Sequence, residues 1–465
     1  MRRQCFPRQG RYGNWAFVTD PRPLAAIILA AGQGTRMKSS RHKVLHPIAH
    51  KPMLLHLLDS LAALAPQRTV VVVGSLREQV EAAVAGRGVT VAVQSPQLGT
   101  GHAALQAKDA LAGFDGDIVV MFGDTPLVGS ATIARLRAEL TDAVAAVVLA
   151  FRPDDPAAYG RVIASDGVIR KMVEFKDATP AERAETLCNS GLLLVRAADL
   201  WPLLARVSND NAAGEYYLPD VISLLIGDGR TARVIETDPH EVAGVNSRAE
   251  LAAMEARWQD RRRAAAMADG VTLIDPASVF LAHDTVIDRD VTIEPFVVFG
   301  PGVRIASGTT IRANSHVEGA EIGPDCDIGP FARLRPGTVL GAGAKIGNFV
   351  ETKKAVFGAG AKANHLSYIG DATVGARANI GAGTITCNYD GFFKYRTVIG
   401  EAAFIGSNSA LVAPVSIGDG AIVAAGSTVT ADVSADALAL VRPAQTEKPG
   451  WAAHFRARQA AKKGK

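Results

Sequence analysis

Residues 321–334 read Glu-Ile-Gly-Pro-Asp-Cys-Asp-Ile-Gly-Pro-Phe-Ala-Arg-Leu, with Ile322, Ile328 and Leu334 six apart. Six is neither the helical period nor the two-residue period of a strand, but it suits a hexapeptide-repeat β-helix. Each hexad supplies one short face of a triangular coil, with the aliphatic side chain pointing into the prism. The rhythm extends through Leu340 and Ile346. Upstream, Leu281, Ile287, Ile293, Phe299, Ile305, Ile311 and Val317 keep the same spacing, and one residue is lost before Ile322. A third run is Ile399, Ile405, Leu411, Ile417, Val423 and Val429. Between Ile380 and Ile399 the polar stretch GAGTITCNYDGFFKYRT interrupts the repeat and reads as a site-forming excursion. The repeat alone is equally compatible with an inert scaffold.

The first half has another rhythm. Apolar strands at Ala25–Ala31, Thr69–Gly74, Ile118–Phe122 and Ala145–Phe151 alternate with amphipathic helices at Met53–Ala65, Leu76–Ala85, His102–Ala110 and Ala131–Glu139. That pattern predicts a Rossmann-like α/β domain with a parallel sheet covered on both faces, binding ligands beyond the strands' carboxyl ends. Leu251, Met254 and Trp258 lie at helical spacing in a charged segment, which predicts a linking helix over 248–268. The expected organisation is a basic, disordered extension over 1–22, an α/β domain over 23–247, the linking helix, a left-handed parallel β-helix over 269–450, and a basic tail over 451–465.

Charge follows these boundaries. The chain carries +4 overall, yet residues 1–22 hold +4 and residues 451–465 hold +5, leaving the body at −5. The basic balance belongs to the tails, which are expected as solvated chain, so a nucleic-acid-binding body is not expected. No apolar run approaches the roughly 18 residues of a membrane span, and membrane insertion is not expected. Cys5, Cys188, Cys326 and Cys387 lie far apart, which argues against a disulfide framework and fits a cytoplasmic protein.

The chemistry-bearing segments begin where the first strand ends. Leu29-Ala-Ala-Gly-Gln-Gly-Thr-Arg-Met37 places Gly32 and Gly34 where backbone N–H groups can approach phosphate oxygens, with Arg36 and Lys43 adding charge. Two glycines after a strand are a weak signal; the whole run with its lysine is far more specific. It is neither a Walker loop nor a dinucleotide fingerprint. It resembles the sugar-1-phosphate nucleotidyltransferases. Further segments follow in family order: Gln94 with Leu98-Gly-Thr-Gly-His102, Phe122-Gly-Asp124, Tyr159-Gly-Arg161, Val173-Glu-Phe-Lys176, Asn189-Ser-Gly191 and Gly244-Val-Asn246. In the β-helix stand Phe331-Ala-Arg-Leu-Arg-Pro-Gly337, Asn348-Phe-Val-Glu-Thr-Lys-Lys354, Asn364-His-Leu-Ser-Tyr-Ile-Gly370 and Asn379 through Asp390. Residues 24–450 together resemble the bifunctional UDP-N-acetylglucosamine pyrophosphorylase/glucosamine-1-phosphate N-acetyltransferase family.

That resemblance implies two activities. One is acetyl transfer from acetyl-CoA to glucosamine 1-phosphate; the other is UMP transfer from UTP to the acetylated product, releasing pyrophosphate. It implies a UTP and UDP-N-acetylglucosamine site from Leu29, Ala30, Ala31, Gly32, Gly34, Lys43, Gln94, Gly99, Thr100, Gly123, Asp124, Gly160, Glu174, Asn189 and Asn246. Arg36 and Lys43 would offset charge, and Asp124 and Asn246 would hold Mg²⁺. His365 would be the general base of acetyl transfer, since neutral imidazole can take an amine proton near physiological pH. Arg335, Lys353, Tyr368 and Asn379 would hold glucosamine 1-phosphate. Ala382, Asn388, Tyr389, Lys394, Ser407, Ala425 and Arg442 would border acetyl-CoA. A homotrimer through the β-helix is also implied. The chain departs from the family pattern at Arg41-His42, where a proline often precedes the lysine, and at His50, commonly glycine. Thr352 stands where an apolar residue is common. Two other readings remain open at this point: a nucleotidyltransferase whose β-helix only regulates, and a non-enzymatic regulatory subunit.

Overall fold

The computed structural model describes residues 22–464 as two compact units, one ending at Trp258 and the other beginning at Gln259. The basic extension, apart from Arg22, lies outside the described residues. Arg22 itself donates to Asp117 at 2.9 Å and to the Leu140 carbonyl at 2.7 Å.

The first unit is built on nine strands: β1 (Leu24–Ala30), β2 (Arg68–Val73), β3 (Thr90–Val93), β4 (Asp117–Phe122), β5 (Ala146–Phe151), β6 (Arg161–Ser165), β7 (Val168–Val173), β8 (Cys188–Arg196) and β9 (Ala232–Glu236). Their order across the sheet is β3-β2-β1-β4-β8-β5-β9-β7-β6. Alternate residues of β1 serve two cores. Ala25, Ile27 and Leu29 face one, with the helices Ala197–Leu204 and Asp220–Gly227; Ala26, Ile28 and Ala30 face the other, with Met53–Ala62 and Ser130–Glu139. Both faces are therefore covered, as the uninterrupted apolar strands require.

The sheet is not wholly parallel. β1 to β4 pair in parallel, but β8 runs antiparallel to both β4 and β5, and β6 and β7 form an antiparallel pair. Its apolar run Leu192–Val195 is buried on both faces like a parallel strand, so composition carries no mark of its direction. The register of β8 shifts between Asn189 and Leu193, at Gly191 with φ +83°. A residue side chain there would meet the Phe122 ring at 2.1 Å, which requires glycine.

His50 sits at φ +67° beside Ala49 at φ +47°, in the two-residue turn joining Pro47–Ile48 to Lys51–Pro52. Two successive left-handed residues are what a type I′ hairpin needs, which explains why glycine suits position 50.

The helix Arg248–Ala268 begins in the first unit and ends in the second. Within the second unit its Gln259 side chain exchanges hydrogen bonds with the Leu281 backbone, and Arg263 donates to the Val279 carbonyl at 3.0 Å.

Beyond it, two-to-seven-residue strands stack in parallel. Val286 lies opposite Arg304 and Thr292 opposite Thr310, eighteen residues per coil. Arg304 faces Glu321, seventeen on, because the hexad between Val317 and Ile322 is one residue short. Asn379 faces Phe404, the polar loop being accommodated within that one coil. The eighteen aliphatic positions of the repeat point inward, and all are buried except Ile287, which is half-buried.

The repeat also continues where the sequence hides it. Thr352, Phe357, Ala363, Ile369, Val374, Ile380 and Thr386 are the inward residues between Ile346 and Ile399, and all are buried. Thr352 is tolerated there because its hydroxyl pairs with that of Thr338 at 2.9 Å, and Thr386 Oγ1 accepts from the Gly370 N–H at 2.8 Å.

The basic segment after residue 450, expected as solvated chain, forms a helix over Trp451–Lys463 whose residues are all exposed. Trp451 and Phe455 stack at 5.2 Å, one turn apart.

Candidate active sites

In the first unit a cleft of about 430 Å³ opens at the carboxyl ends of β1 and β4. Leu29, Ala30, Ala31, Gly32, Lys43, Gln94, Gly99, Thr100, Asp124 and Asn246 line it, so ten of the expected nucleotide-site residues meet there. Lys43 is the hinge of the arrangement. Its stem passes Gly34, where an added Cβ would lie 2.6 Å from Lys43 Cβ, so this glycine makes room for the lysine. The ammonium donates to Asp124 Oδ2 and, at 3.0 Å, to Asn246 Oδ1. Asp124 lies two residues past the end of β4, while Asn246 comes from the loop before the long helix. Both side chains therefore converge oxygens on one cation in a partly buried position. Hard oxygens from one carboxylate and one amide fit Mg²⁺, which takes few protein ligands and fills its octahedron with phosphates and water.

Gln94 is buried, with its amide donating to the Gly99 carbonyl at 2.9 Å and lying 3.2 Å from His102 Nδ1. Thr100 Oγ1 accepts from the Leu218 N–H at 2.9 Å, and the Gly101 N–H donates to the Tyr216 carbonyl at 2.8 Å. The glycine-rich turn is thus clamped against residues 216–218. Gly123 is buried behind the cleft, its N–H bonded to the Leu29 carbonyl at 3.0 Å. Arg36 stands exposed on the turn Thr35–Met37, outside the cleft lining. Phe122, from the Phe122-Gly-Asp124 segment, lines the cleft too, as do Gln97 and Glu215, which no motif marked because isolated polar residues carry no spacing signal.

Thr100 and Phe122 also line an adjoining small cavity of about 80 Å³, together with Glu174, Asn189, Met172 and Leu218. The β8 bulge presents Asn189, whose Oδ1 accepts from the Gly191 N–H at 2.9 Å. Gly160 lies against the Glu174 carboxylate, 3.1 Å from a built Cβ. Burial, and then Asp220, Asp177 and Glu215, push the Glu174 carboxyl above its ordinary value.

In the second unit the other expected residues gather on successive coils. Asn348 and His365 are register partners. Three further ladder bonds continue along the corner: the Gly383 N–H to the His365 carbonyl at 3.4 Å, Asn408 to Ala382 at 2.7 Å, and Gly426 to Ser407 at 2.8 Å. Asn348, His365, Ala382, Ser407 and Ala425 therefore form one column parallel to the prism axis. Arg442 reaches back to the Ala425 carbonyl.

His365 is exposed, and its Nδ1 lies 2.9 Å from Asn348 Oδ1. An amide oxygen only accepts, so Nδ1 carries the proton and Nε2 presents its lone pair. Asn348 belongs to a segment quoted above but had no role assigned; only the stacking of coils brings it to His365.

Beside the column, Arg335 bonds Glu351 at 2.7 Å. The Lys394 ammonium lies against Lys353 and, with Arg335 adding to it, holds the Lys353 ammonium below its usual range. Three cations crowded together at the surface suit a phosphate. Tyr368 projects its hydroxyl over Gly370 toward the Asn388 amide, which donates to Asp371 at 2.5 Å. Tyr389 and Lys394 pair across the hairpin of the interrupting loop, and Asn379 is half-buried on its strand one coil after Lys362.

Comparison with known proteins adds two family models. The MobA-like NTP transferase domain matches residues 26–218, and the bacterial transferase hexapeptide (six repeats) matches residues 284–319 and 396–431. The chain is 63% identical over 435 residues to the Bifunctional protein GlmU of Sphingopyxis alaskensis, covering 93% of this chain and 96% of that protein. Over 442 residues it is 65% identical to the protein of the same name from Rhizorhabdus wittichii, covering 94% and 98%. The Zymomonas mobilis protein of that name is 57% identical over 447 residues, covering 95% and 99%.

Proposed function

The chain belongs to the family of bifunctional proteins named GlmU, and we propose that its two units divide the synthesis of UDP-N-acetylglucosamine between the sites described above. The β-helix unit transfers acetyl from acetyl-CoA to the amine of glucosamine 1-phosphate. The α/β unit then transfers UMP from UTP to the acetylated sugar phosphate and releases pyrophosphate.

In the acetyl site, Arg335, Lys353 and Lys394 hold phosphate charge, while Tyr368 and Asn379 orient the sugar. His365 Nε2 removes a proton from the sugar ammonium, and the freed amine attacks the thioester carbonyl. The C–N bond forms, the C–S bond breaks, and the CoA thiolate leaves to take up a proton. Ala382, Ser407, Ala425 and Arg442 border the cofactor along the corner column, with Asn388 and Tyr389 on the loop.

In the nucleotide site, a phosphate oxygen of N-acetylglucosamine 1-phosphate attacks the α-phosphorus of UTP in line, and pyrophosphate departs. Gly32 and Gly34 border the triphosphate, Lys43 and Arg36 oppose its charge, and Gln94, Gly99 and Thr100 read the base. Gly160, Glu174 and Asn189 take the sugar. Asp124 and Asn246 would hold Mg²⁺, which when bound would further neutralise the accumulating charge.

The observation that carries this reading is that each unit gathers its own set: the Lys43–Asp124–Asn246 cluster in one and the His365–Asn348 pair beside three cations in the other. Asp124→Ala should abolish uridylyl transfer and spare acetyl transfer, and His365→Ala should do the reverse. Loss of both activities together in either folded variant would sink the division of labour.

A homotrimer through the β-helix is supported by Val339, Val356 and Val398, which share one outer column with Thr373 between the last two and are each more than a third exposed. Sedimentation of a strictly monomeric, fully active enzyme would exclude it. The free thiols of Cys188, Cys326 and Cys387 fit a reducing, cytoplasmic setting.

A further inference from the structure

Two histidines bracket Lys43. His42 caps the amino end of the turn Lys43–Leu45, its Nδ1 accepting from the Val44 N–H at 3.3 Å. His46 caps the other end, its Nδ1 lying 3.2 Å from Nη1 of Arg248. The two are only 1% and 3% exposed. A backbone N–H and a guanidinium can only donate, so each Nδ1 keeps its lone pair and each ring is neutral, with its proton on Nε2. Neither Nε2 has a hydrogen-bond partner.

The charged groups facing these rings are all cationic: Lys43 beside His42, Arg248 and Arg41 beside His46, and each ring beside the other. From the neighbouring helix Arg77–Val84, Gln79 Oε1 accepts from the His42 backbone N–H at 2.8 Å, which leaves the ring untouched. Burial first, and then these cations, push His42 below the ordinary imidazole value of 6.5; the same order holds for His46, where the Arg41 backbone carbonyl pulls more weakly the other way.

We propose that His42 and His46 form a proton-sensitive lock on the Lys43 turn, which shuts off nucleotide chemistry on acidification. Protonating either ring turns Nδ1 into a donor facing a donor. The cap on Val44 or the contact with Arg248 is then lost, and with it the placement of Lys43 against Asp124 and Asn246. The sign follows from linkage: the folded state favours neutral rings, so below about 6.5 the unfolded chain binds more protons and local stability falls with pH. Both histidines are positioning residues, and the inference rests on reading Lys43 as part of the uridylyl centre.

The test uses the full chain. Uridylyl and acetyl transfer are measured from pH 8 to 5.5, each normalised to its own rate at pH 8, for the unaltered enzyme, His42→Asn/His46→Asn and Lys43→Ala. Asparagine keeps an acceptor at both caps and does not titrate. At pH 5.5 uridylyl transfer should be retained at least about threefold better in the double variant than in the unaltered enzyme, with matching acetyl profiles. Titration of the substrate phosphates is common to both proteins and cancels. An unchanged acid limb in a folded double variant overturns the lock. Full uridylyl activity in Lys43→Ala would instead remove the underlying site assignment. Should the double variant not fold, ring resonances of the unaltered chain decide: protonation of His42 and His46 without any loss of UTP binding overturns the proposal.

Discussion

Replacing Asn348 by alanine removes the single partner of His365 Nδ1 while leaving the base itself in place. The lost contact is a neutral hydrogen bond of 2.9 Å between the exposed His365 and the half-buried Asn348 on adjacent coils. Water can replace it, so its net worth falls at the low end of the usual range, about 0.5–1 kcal/mol. Without the amide oxygen the ring is also free to rotate and to place its proton on Nε2, which takes the lone pair away from the sugar amine. The two effects together predict a drop in acetyl-transfer kcat of about 3- to 20-fold, less than the roughly 10²–10⁴-fold for losing a general base outright. Uridylyl transfer serves as the internal control and should not change. The assay is thiol release from acetyl-CoA with saturating glucosamine 1-phosphate, run beside His365→Ala. An Asn348→Ala enzyme as fast as the unaltered one would show that the pair does not orient the base. One as slow as His365→Ala would show that Asn348 does more than orient it.

Gly191→Ala places a methyl group 2.1 Å from the Phe122 ring at a left-handed backbone position. It should cost about 1–3 kcal/mol through strain and overpacking. Calorimetry should show a lower first-unit midpoint, and the KM for N-acetylglucosamine 1-phosphate should rise because Asn189 moves with the bulge. Glu174→Gln removes a carboxylate whose ionised form is disfavoured by burial and by three neighbouring acids. The raised value means that this carboxyl favours folding below about 4.5 and opposes it as pH rises through the folded value. The variant should therefore melt higher than the unaltered chain at pH 8, with the gap closing toward pH 4, while uridylyl transfer is weakened. A gap independent of pH would refute the assigned cause.

Much of the second unit was legible because its code is local. An inward aliphatic residue every six positions is dictated by the prism itself, and a lost residue before Ile322 shows up as the seventeen-residue coil from Arg304 to Glu321. The code was lost between Ile346 and Ile399, because Thr352, Ala363 and Thr386 fill the prism without looking apolar and the steps to Phe357 and Val374 are each one residue short. In the first unit the apolar strands and their helices were equally plain, but not the direction of β8, because a strand buried on both faces has the same composition either way up.

For the sites, sequence alone determined which residue types travel together: Gly32 and Gly34 with Lys43, Asp124 after its strand, His365 within its segment. What it could not determine was which of them meet. Lys43 and Asn246 lie 203 positions apart, and only the folded first unit brings them to one hydrogen bond. The partner of His365 was likewise set by coil stacking, not by motif, because coil geometry places residue 348 directly beneath residue 365. The locked neutral state of His42 and His46 is of the same kind. Residue identity supplies a ring that can titrate; burial and the donors facing Nδ1, both products of tertiary packing, decide which form it takes.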